Sequence, residues 1–308
     1  MNAGVRAAVR AAAHTGVEIY GIQHGYKGLM AGDTILLDRR FVSNIIHLGG
    51  TMLGTARSQE FTTPEGRDRA AEVLQASGIG GLIVLGGDGS FRGAMALMEE
   101  HGINVVGVPA TIDNDISGTD YSIGFDTAVN TALEAIDRIR DTALSHDRLF
   151  FIEVMGRHTG FIAAACGIAG GAEYLVIPEA PISTVELCQH IEEGFGRGKR
   201  SAIVVVAEGD QPGNSFRIAR EVEEIAGLES KVCILGHVQR GGSPTARDRM
   251  LASKMGVLAV QTLVDGEDYG VVVGEIKGDM ALTPLKESTT HKKKLGSHLE
   301  ALAQILSE

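Results

Sequence analysis

Seven runs of the chain are apolar without alternation, and helical periodicity separates most of them. They are "GLIVLGG" (81 to 87), "NVVGVPA" (104 to 110), "RLFFIEVMG" (148 to 156), "EYLVIPE" (173 to 179), "SAIVVVAEG" (201 to 209), "VCILGH" (232 to 237) and "GVVVGEI" (270 to 276). A strand half-exposed on one face alternates polar with apolar residues, so unbroken apolar strands must be covered on both faces. Between them lie segments such as "TAVNTALEAIDRIRDTALSH", whose Val129, Leu133, Ile136 and Ile139 share one helical face, and a helix opened by Ser183 with Glu186 three residues later, a capping box. Strands alternating with helices in this way specify α/β architecture: doubly wound, mainly parallel sheets in three-layer α/β/α units. In such sheets ligands bind beyond the carboxyl ends of the strands. The opening, "MNAGVRAAVRAAAHTGVEIYGI", reads as an alanine-rich helix followed by a strand through Val17, Ile19 and Ile22.

At 308 residues the chain exceeds what one core usually supports, which makes one large unit or two domains the expectation. A net charge of −11 excludes broad binding to DNA or anionic membrane, while leaving room for a local cationic pocket. Aromatic residues are 5% of the chain, too few for stacking platforms along single-stranded nucleic acid. Cys166, Cys188 and Cys233 are isolated and lack metal-ligand spacing, as expected of free thiols in a reducing cytosol. No apolar stretch approaches the ~18 residues of a membrane span, and no secretory signal pattern is present, so the expected compartment is the cytoplasm.

Chemistry-bearing residues cluster where the strands end. The run "GLIVL" leads into Gly86, Gly87, Asp88, Gly89 and Ser90, with Gly93 in the following helical segment. Glycines there let backbone N–H groups approach phosphate oxygens, and Asp88 could hold Mg²⁺; the same glycines also suit a tight strand-to-helix turn. The next strand ends in "PATIDNDISG". Asp113 and Asp115, two apart in extended backbone, face one side beside Thr111, which fits either a cation-dependent acid–base pair or turn and capping residues. Later strand ends bring Met155, Gly156 and Arg157 in "MGRHTG", Glu208 in "AEG", and His237 and Arg240 in "GHVQRGGSP". Arginine before a helix suits phosphate, and a carboxylate suits sugar hydroxyls. The final "HKKK" reads as a solvated charge cluster before a last helix.

The blocks "GGTMLGTAR", "GGDGS", "TIDNDISGTDYSIGFDTA", "EVMGRHTG", "AEGD" and "GHVQRGGSP" together resemble the 6-phosphofructokinase family in its bacterial ATP-dependent form, over nearly the whole chain. The resemblance implies phosphoryl transfer from MgATP to the 1-hydroxyl of fructose 6-phosphate. It implies Asp113 as base, with Thr111 and Asp115 beside it and Arg157 balancing transition-state charge. Tyr26, Arg57, Ser58, Gly87, Asp88, Gly89, Ser90 and Gly93 match the nucleotide side, with Asp88 serving Mg²⁺. Met155, Gly156, Glu208, His237 and Arg240 match sugar-phosphate positions. A nucleotide-binding domain of residues 1–124 plus 239–287 and a sugar-phosphate domain of 125–238 plus 288–308 are expected. Family members of this kind are homotetramers in which a neighbouring subunit completes the sugar-phosphate site, here through Arg148 and Lys231. An allosteric site for ADP or phosphoenolpyruvate is implied at Arg6, Arg10, Arg39, Arg140, Gly171, Ala172, Glu173, Arg197 and Lys199.

Pyrophosphate-using relatives place Asp after "GGD" and Lys before "TIDND"; Gly89 and Ala110 stand there in this chain, which favours ATP. A pyrophosphate-dependent or other sugar-phosphate kinase is the neighbouring alternative, and a non-catalytic effector-binding homologue is the alternative from another class. Three departures from the family pattern stand out. Its first strand and "GGD-x-PG" loop, roughly fifteen residues, have no counterpart ahead of Met1; a start placed too late, or a true truncation with weakened ATP binding and lower stability, is expected. Lys231 replaces an arginine that reaches the 6-phosphate, keeping the charge without the bidentate fork. Thr62 stands where relatives often carry a cation near the nucleotide.

Overall fold

The computed structural model describes residues 1–146, 148–209, 213–266, 268–296, 299, 302 and 305. It divides into two compact units. The first comprises Met1–Thr111, Ile116–Gly124 and Ser243–Lys293, and the second Ile112–Asp115, Phe125–Gly242 and Lys294–Glu308. The return crossings therefore fall a few residues beyond the 238–239 and 287–288 expected from sequence, and the short segment carrying Asp113 and Asp115 goes with the second unit.

In the first unit the strands are β1 (Tyr20–Ile22), β2 (Thr34–Leu36), β3 (Gly81–Gly86) and β4 (Asn104–Pro109). The helices that share its sequence are α1 (Asn2–Thr15), α2 (Gly25–Ala31), α3 (Pro64–Ala76) and α4 (Asp88–His101). The second unit contributes α5 (Phe125–His146), β5 (Leu149–Val154), α6 (Phe161–Ala169), β6 (Tyr174–Val176), α7 (Thr184–Gly196), β7 (Ala202–Ala207), α8 (Asn214–Ala226) and β8 (Ser230–Ile234). The chain then returns to the first unit with α9 (Ala246–Asp265), β9 (Val271–Ile276), β10 (Asp279–Pro284) and α10 (Leu285–Thr290). The expected last helix after Lys294 lies largely outside the described residues.

The first unit's sheet runs β10-β9-β4-β3, with β3, β4 and β9 parallel and β10 antiparallel at one edge. Successive residues of β4 show why the strand is apolar throughout. Val105 packs with Leu74, Phe91 and Leu97 on one face, while Val106 and Val108 pack with Ala3, Leu251 and Met255 on the other. The opening helix α1 lies along α9, and Asn2, 3% exposed, ties its start to the 48–52 loop. Its side-chain amide donates to the Leu48 and Gly49 carbonyls, and its Oδ1 accepts the Met52 N–H at 2.8 Å. The strand expected through Val17 to Ile22 forms over Tyr20–Ile22 and pairs antiparallel with β2. On the side of β3 away from β4 lies a cavity of about 860 Å³ lined by Val5, Val9, Leu37, Ile83 and Leu85, among others.

The second unit's sheet is wholly parallel, in the order β6-β7-β5-β8. Both β5 and β7 are buried along their whole length. Phe151, Val204 and Val206 pack under Leu187, Ile191, Ile218 and Val222 of α7 and α8, and α5 and α6 lie on the opposite face. Ser183 caps α7 by accepting the Glu186 N–H, as the capping box requires. The cysteines are free: Cys166 and Cys188 are buried, and burial pushes the Cys166 thiol up to about 12. Among the described residues no helix is long and apolar enough to cross a membrane.

One polar residue interrupts β5. Glu153 is 1% exposed, and its carboxylate accepts the Gly213 N–H at 2.7 Å together with the Ser215 N–H and hydroxyl at 3.0 and 2.7 Å. It thereby anchors the start of α8 to the sheet. Glu153→Ala strands these donors without a buried acceptor. Urea unfolding is expected to show a loss of roughly 2–4 kcal/mol, the cost of leaving buried groups unsatisfied; an unchanged midpoint would contradict that anchoring role.

Candidate active site

In the first unit, β3 ends at Gly86, and Gly87 caps α4, its carbonyl accepting the Ser90 and Phe91 N–H groups. Asp88 is the first helical residue, its carboxylate 2.8 Å from the Arg92 guanidinium. A Cβ built on Gly89 would meet nothing within 4 Å, so open space lies at this helix N-terminus, where N–H groups and helix dipole favour an anion. Gly87 lies close to Thr111, whose Cβ would stand 3.4 Å from an added methyl. The Thr111 carbonyl is held by the Ser122 hydroxyl at 2.6 Å.

Tyr26 and Phe61 stack with centroids 3.8 Å apart, and the Tyr26 hydroxyl donates to the Ser90 carbonyl. Burial raises the Tyr26 phenol well above its ordinary range, so it stays a neutral donor. Gly93 faces this pair: an added Cβ would come within 2.8 Å of Phe61 and 3.0 Å of Tyr26. This close packing leaves no room for a side chain at Gly93. Ser58 accepts the Phe61 N–H at 3.2 Å, and Arg57 is exposed on the same loop. Thr62 bonds its own turn through the Gln59 carbonyl, and Arg67 donates to the Thr62 carbonyl while pairing with Glu100.

In the second unit, one end of the parallel sheet collects most of the residues that the sequence resemblance assigns to the sugar phosphate. Asp113 is 6% exposed, and its carboxyl is pushed up to about 6. Burial is the main cause, followed by the Asp115 carboxylate; Arg157 and Arg240 pull the other way, and Glu208 adds a smaller upward push. These five side chains thus share one electrostatic neighbourhood. Beyond β5, Gly156 has φ +146° and Arg157 has φ +52°, a left-handed conformation that costs a non-glycine residue. The conformation is held by the Arg157 N–H, which donates to Glu208 Oε1 at 3.0 Å, and by Thr159, whose hydroxyl donates to the Gly156 and Asp113 carbonyls at 3.0 and 3.3 Å. The 3₁₀ turn Gly236–Arg240 exposes His237 and Arg240 and buries Gln239. Met155 is buried, and its N–H donates to Gln239 Oε1 at 2.9 Å. No sequence pattern marks Gln239 or Thr159, whose partners become visible only in three dimensions.

Two residues do not join this group. Arg148 precedes β5 and Lys231 is the second residue of β8, so both lie at the amino ends of the strands, about 20 Å along the sheet by strand rise. Lys231 is exposed and pairs with Glu229 at 2.7 Å. Elsewhere in this unit, Arg140 lies 3.5 Å from Glu173 and donates to the Gly170 and Gly171 carbonyls. Glu173 Oε2 in turn accepts the Ile203 N–H at 2.6 Å, and Ala172 between them is buried. Arg197 and Lys199 close α7 near Tyr174. In the first unit Arg6 and Arg10 lie on α1, and Arg39 donates to the Ala13 carbonyl near its end.

Two α/β units with parallel sheets, one carrying a glycine-capped helix with open space before it and the other an acid–arginine cluster at its strand ends, define a protein built for phosphorylated small molecules. The chain belongs to the phosphofructokinase family, whose model matches residues 1–263. It is 57% identical to the ATP-dependent 6-phosphofructokinase 1 of Thermus thermophilus over 307 residues, covering all of this chain and 95% of that protein. It is 50% identical to the ATP-dependent 6-phosphofructokinase of Shouchella clausii, with the same coverage. Among solved structures, the T-state phosphofructokinase of Pichia pastoris superposes with a TM-score of 0.89 at 36% identity, over 100% of this chain and 36% of that one. A pyrophosphate-dependent phosphofructokinase from Marinobacter aquaeolei shares the fold, with a TM-score of 0.81 at 24% identity over 99% of this chain and 87% of that one.

The packing around Gly93 gives a direct test. Gly93→Ala is expected to force Phe61 or Tyr26 aside and destabilise the protein by roughly 1–3 kcal/mol, the usual cost of overpacking. A denaturation midpoint equal to that of the unaltered chain would show that the stack yields freely.

Proposed function

We propose that the chain transfers the γ-phosphoryl group of ATP to the 1-hydroxyl of fructose 6-phosphate, giving fructose 1,6-bisphosphate and ADP. The observation that carries this reading is the buried Asp113 carboxyl, tuned to about 6 among Asp115, Glu208, Arg157 and Arg240. The high identity to relatives named as ATP-dependent 6-phosphofructokinases supports both the reaction and the donor.

A carboxylate with this value is ionised at neutral pH yet basic enough to take a proton from an attacking hydroxyl, the balance a general base needs. Asp113 orients the 1-hydroxyl and accepts its proton, and Arg157 neutralises charge on the transferring group. Thr111 and Asp115 support these two. His237 and Arg240 hold the 6-phosphate alongside Met155 and Gly156. Glu208 divides its oxygens, one on the Arg157 backbone and the other available to a sugar hydroxyl. On the nucleotide side, Gly87 to Ser90 present N–H groups to phosphate with Tyr26, Arg57, Ser58 and Gly93 around them, and the open space at Gly89 suits ATP.

The described residues contain no group of three or more His, Cys, Asp or Glu side chains able to hold a metal. Asp88, at the open N-terminus of α4 and paired with Arg92, would offer one carboxylate to a Mg²⁺ ion carried by the nucleotide. When bound, the ion neutralises phosphate charge. Arg148 and Lys231, remote from the acid–arginine cluster of their own chain, serve a neighbouring copy in a homotetramer. Arg6, Arg10 and Arg39, with Arg140, Gly171, Ala172, Glu173, Arg197 and Lys199, provide contacts for a phosphorylated effector such as ADP or phosphoenolpyruvate. The free thiols, of which Cys166 and Cys188 are buried, suit the cytoplasm.

The direct test is ADP release from MgATP with and without fructose 6-phosphate, with pyrophosphate as the contrasting donor. Sugar-dependent release with ATP supports the reading; silence from folded protein, or preference for pyrophosphate, overturns it. Asp113→Asn is expected to lower kcat by about 10²–10⁴, the range for a lost general base, and to lose the limb in kcat/KM that falls below about pH 6. The same change has an opposite effect on stability. A carboxyl raised on folding contributes stability below its unfolded value and loses it as pH rises through the folded one. At pH 8 Asp113→Asn is therefore expected to be more stable, by roughly 1–3 kcal/mol at 1.36 kcal/mol per pH unit, with the gain vanishing below about pH 4. A less stable variant at pH 8 would refute it. Lys231→Arg, which restores the bidentate fork, is expected to lower the fructose 6-phosphate KM several-fold; equal KM values would remove the claim.

A further inference from the structure

Gln239 lies between two residues of the sugar-phosphate group, yet it points inward and is 1% exposed. Its surroundings follow from the geometry of β5. Glu153 faces β8, because its carbonyl accepts the Leu235 N–H at 3.0 Å, and Val154 faces β7, because its carbonyl accepts the Glu208 N–H at 3.0 Å. Alternation then turns the Met155 N–H back toward β8. There the chain of β8 has already left the ladder, passing through Gly236 at φ +56° into the 3₁₀ turn. A buried N–H facing a departed strand requires another acceptor, and Gln239 Oε1 supplies it at 2.9 Å.

Packing alone does not account for a glutamine here. Its Nε2 is buried with no hydrogen-bond partner, a cost that a methionine or leucine of similar size would avoid. The demand for an acceptor explains the residue. The bond it makes ties the turn carrying His237 and Arg240 to the strand end that leads directly into Gly156 and Arg157, where the backbone is left-handed. From Gly156 the connection continues through the Thr159 hydroxyl to the Asp113 carbonyl.

We propose that Gln239 is a positioning residue that fixes the spacing between the phosphate-holding turn and the loop bearing Arg157, and thereby between the acceptor's anchor and the reacting end of the sugar. This rests on the roles given above to Arg157, His237 and Arg240. Gln239 touches neither substrate nor reacting atoms; it acts through the Met155 amide.

The test compares the full chain with Gln239→Met, which keeps length and volume but removes the acceptor, and Gln239→Glu, which keeps an oxygen in place. Two readouts are taken: residue-level hydrogen exchange of the Met155 amide without ligand, and steady-state kinetics with each substrate varied in turn. Gln239→Met is expected to speed exchange at Met155 at least tenfold. It is also expected to raise the fructose 6-phosphate KM and lower kcat, together costing about tenfold or more in kcat/KM, while the ATP KM stays within twofold. Gln239→Glu is expected to recover most of the protection and most of the sugar-phosphate KM. Unchanged exchange at Met155 in Gln239→Met overturns the proposal. So does a loss shared equally by both substrates and not relieved by Gln239→Glu, which would mark the residue as structural only. If the unaltered chain does not phosphorylate fructose 6-phosphate, the functional reading falls, and the exchange comparison alone decides whether the clamp exists.

Discussion

Parallel pairing around β5 is the constraint on which the second unit depends. Because β7 and β8 both run parallel to β5 in matched register, their carboxyl ends arrive together. Arg157, Glu208 and Arg240, spread over more than eighty positions of sequence, share one electrostatic neighbourhood as a result, and Asp113 joins them from the 112–115 segment. The alternating backbone of β5 then serves both neighbours in turn. One carbonyl receives the start of the Glu208 segment, the previous one receives the end of β8, and the last amide takes a side chain where no strand remains. The loop beyond is strained at Arg157, and its neighbours hold that strain: a carboxylate on one side and a threonine hydroxyl on the other.

Electrostatics adds a second layer to this arrangement. Burying Asp113 near Asp115 and Glu208 opposes its ionisation, and Arg157 and Arg240 offset part of that cost. The balance leaves a carboxyl poised within the range where a proton can be exchanged. It also means that the fold carries, at neutral pH, a group that would be more comfortable in water. Stability spent at a site in this manner is common where chemistry needs a perturbed acid.

The fold was legible in the sequence where burial on both faces forced unbroken apolar runs. The second sheet's β5 and β7 and the first sheet's β3 and β4 fall within the runs read from sequence. β6 is shorter than its apolar run because the pairing stops at Val176, ahead of Pro178, and β8 begins at Ser230, two residues before its apolar run starts at Val232. The gathering of site residues at strand ends was legible too, because topology places those ends together. What was not legible depended on partners distant in sequence. Gly93 is required by a stack between Tyr26 and Phe61, and neither ring announces the other in sequence. Arg140 engages Glu173 and two carbonyls, which no local pattern foretells. Gln239 looked like one more polar residue in a glycine-rich turn, since its meaning comes from the direction of an amide on another strand.

The cavity beside β3 gives the first unit a lopsided character. Its sheet ends on one side in an antiparallel strand closed by a tight turn, and on the other in a parallel edge facing an apolar hollow. A hollow of that kind lacks the dispersion contacts that fill the rest of the interior. An unpaired edge is also a template onto which another extended chain can add. The first unit should therefore soften from this edge inward, with β3 opening before β4, which has a strand on either side.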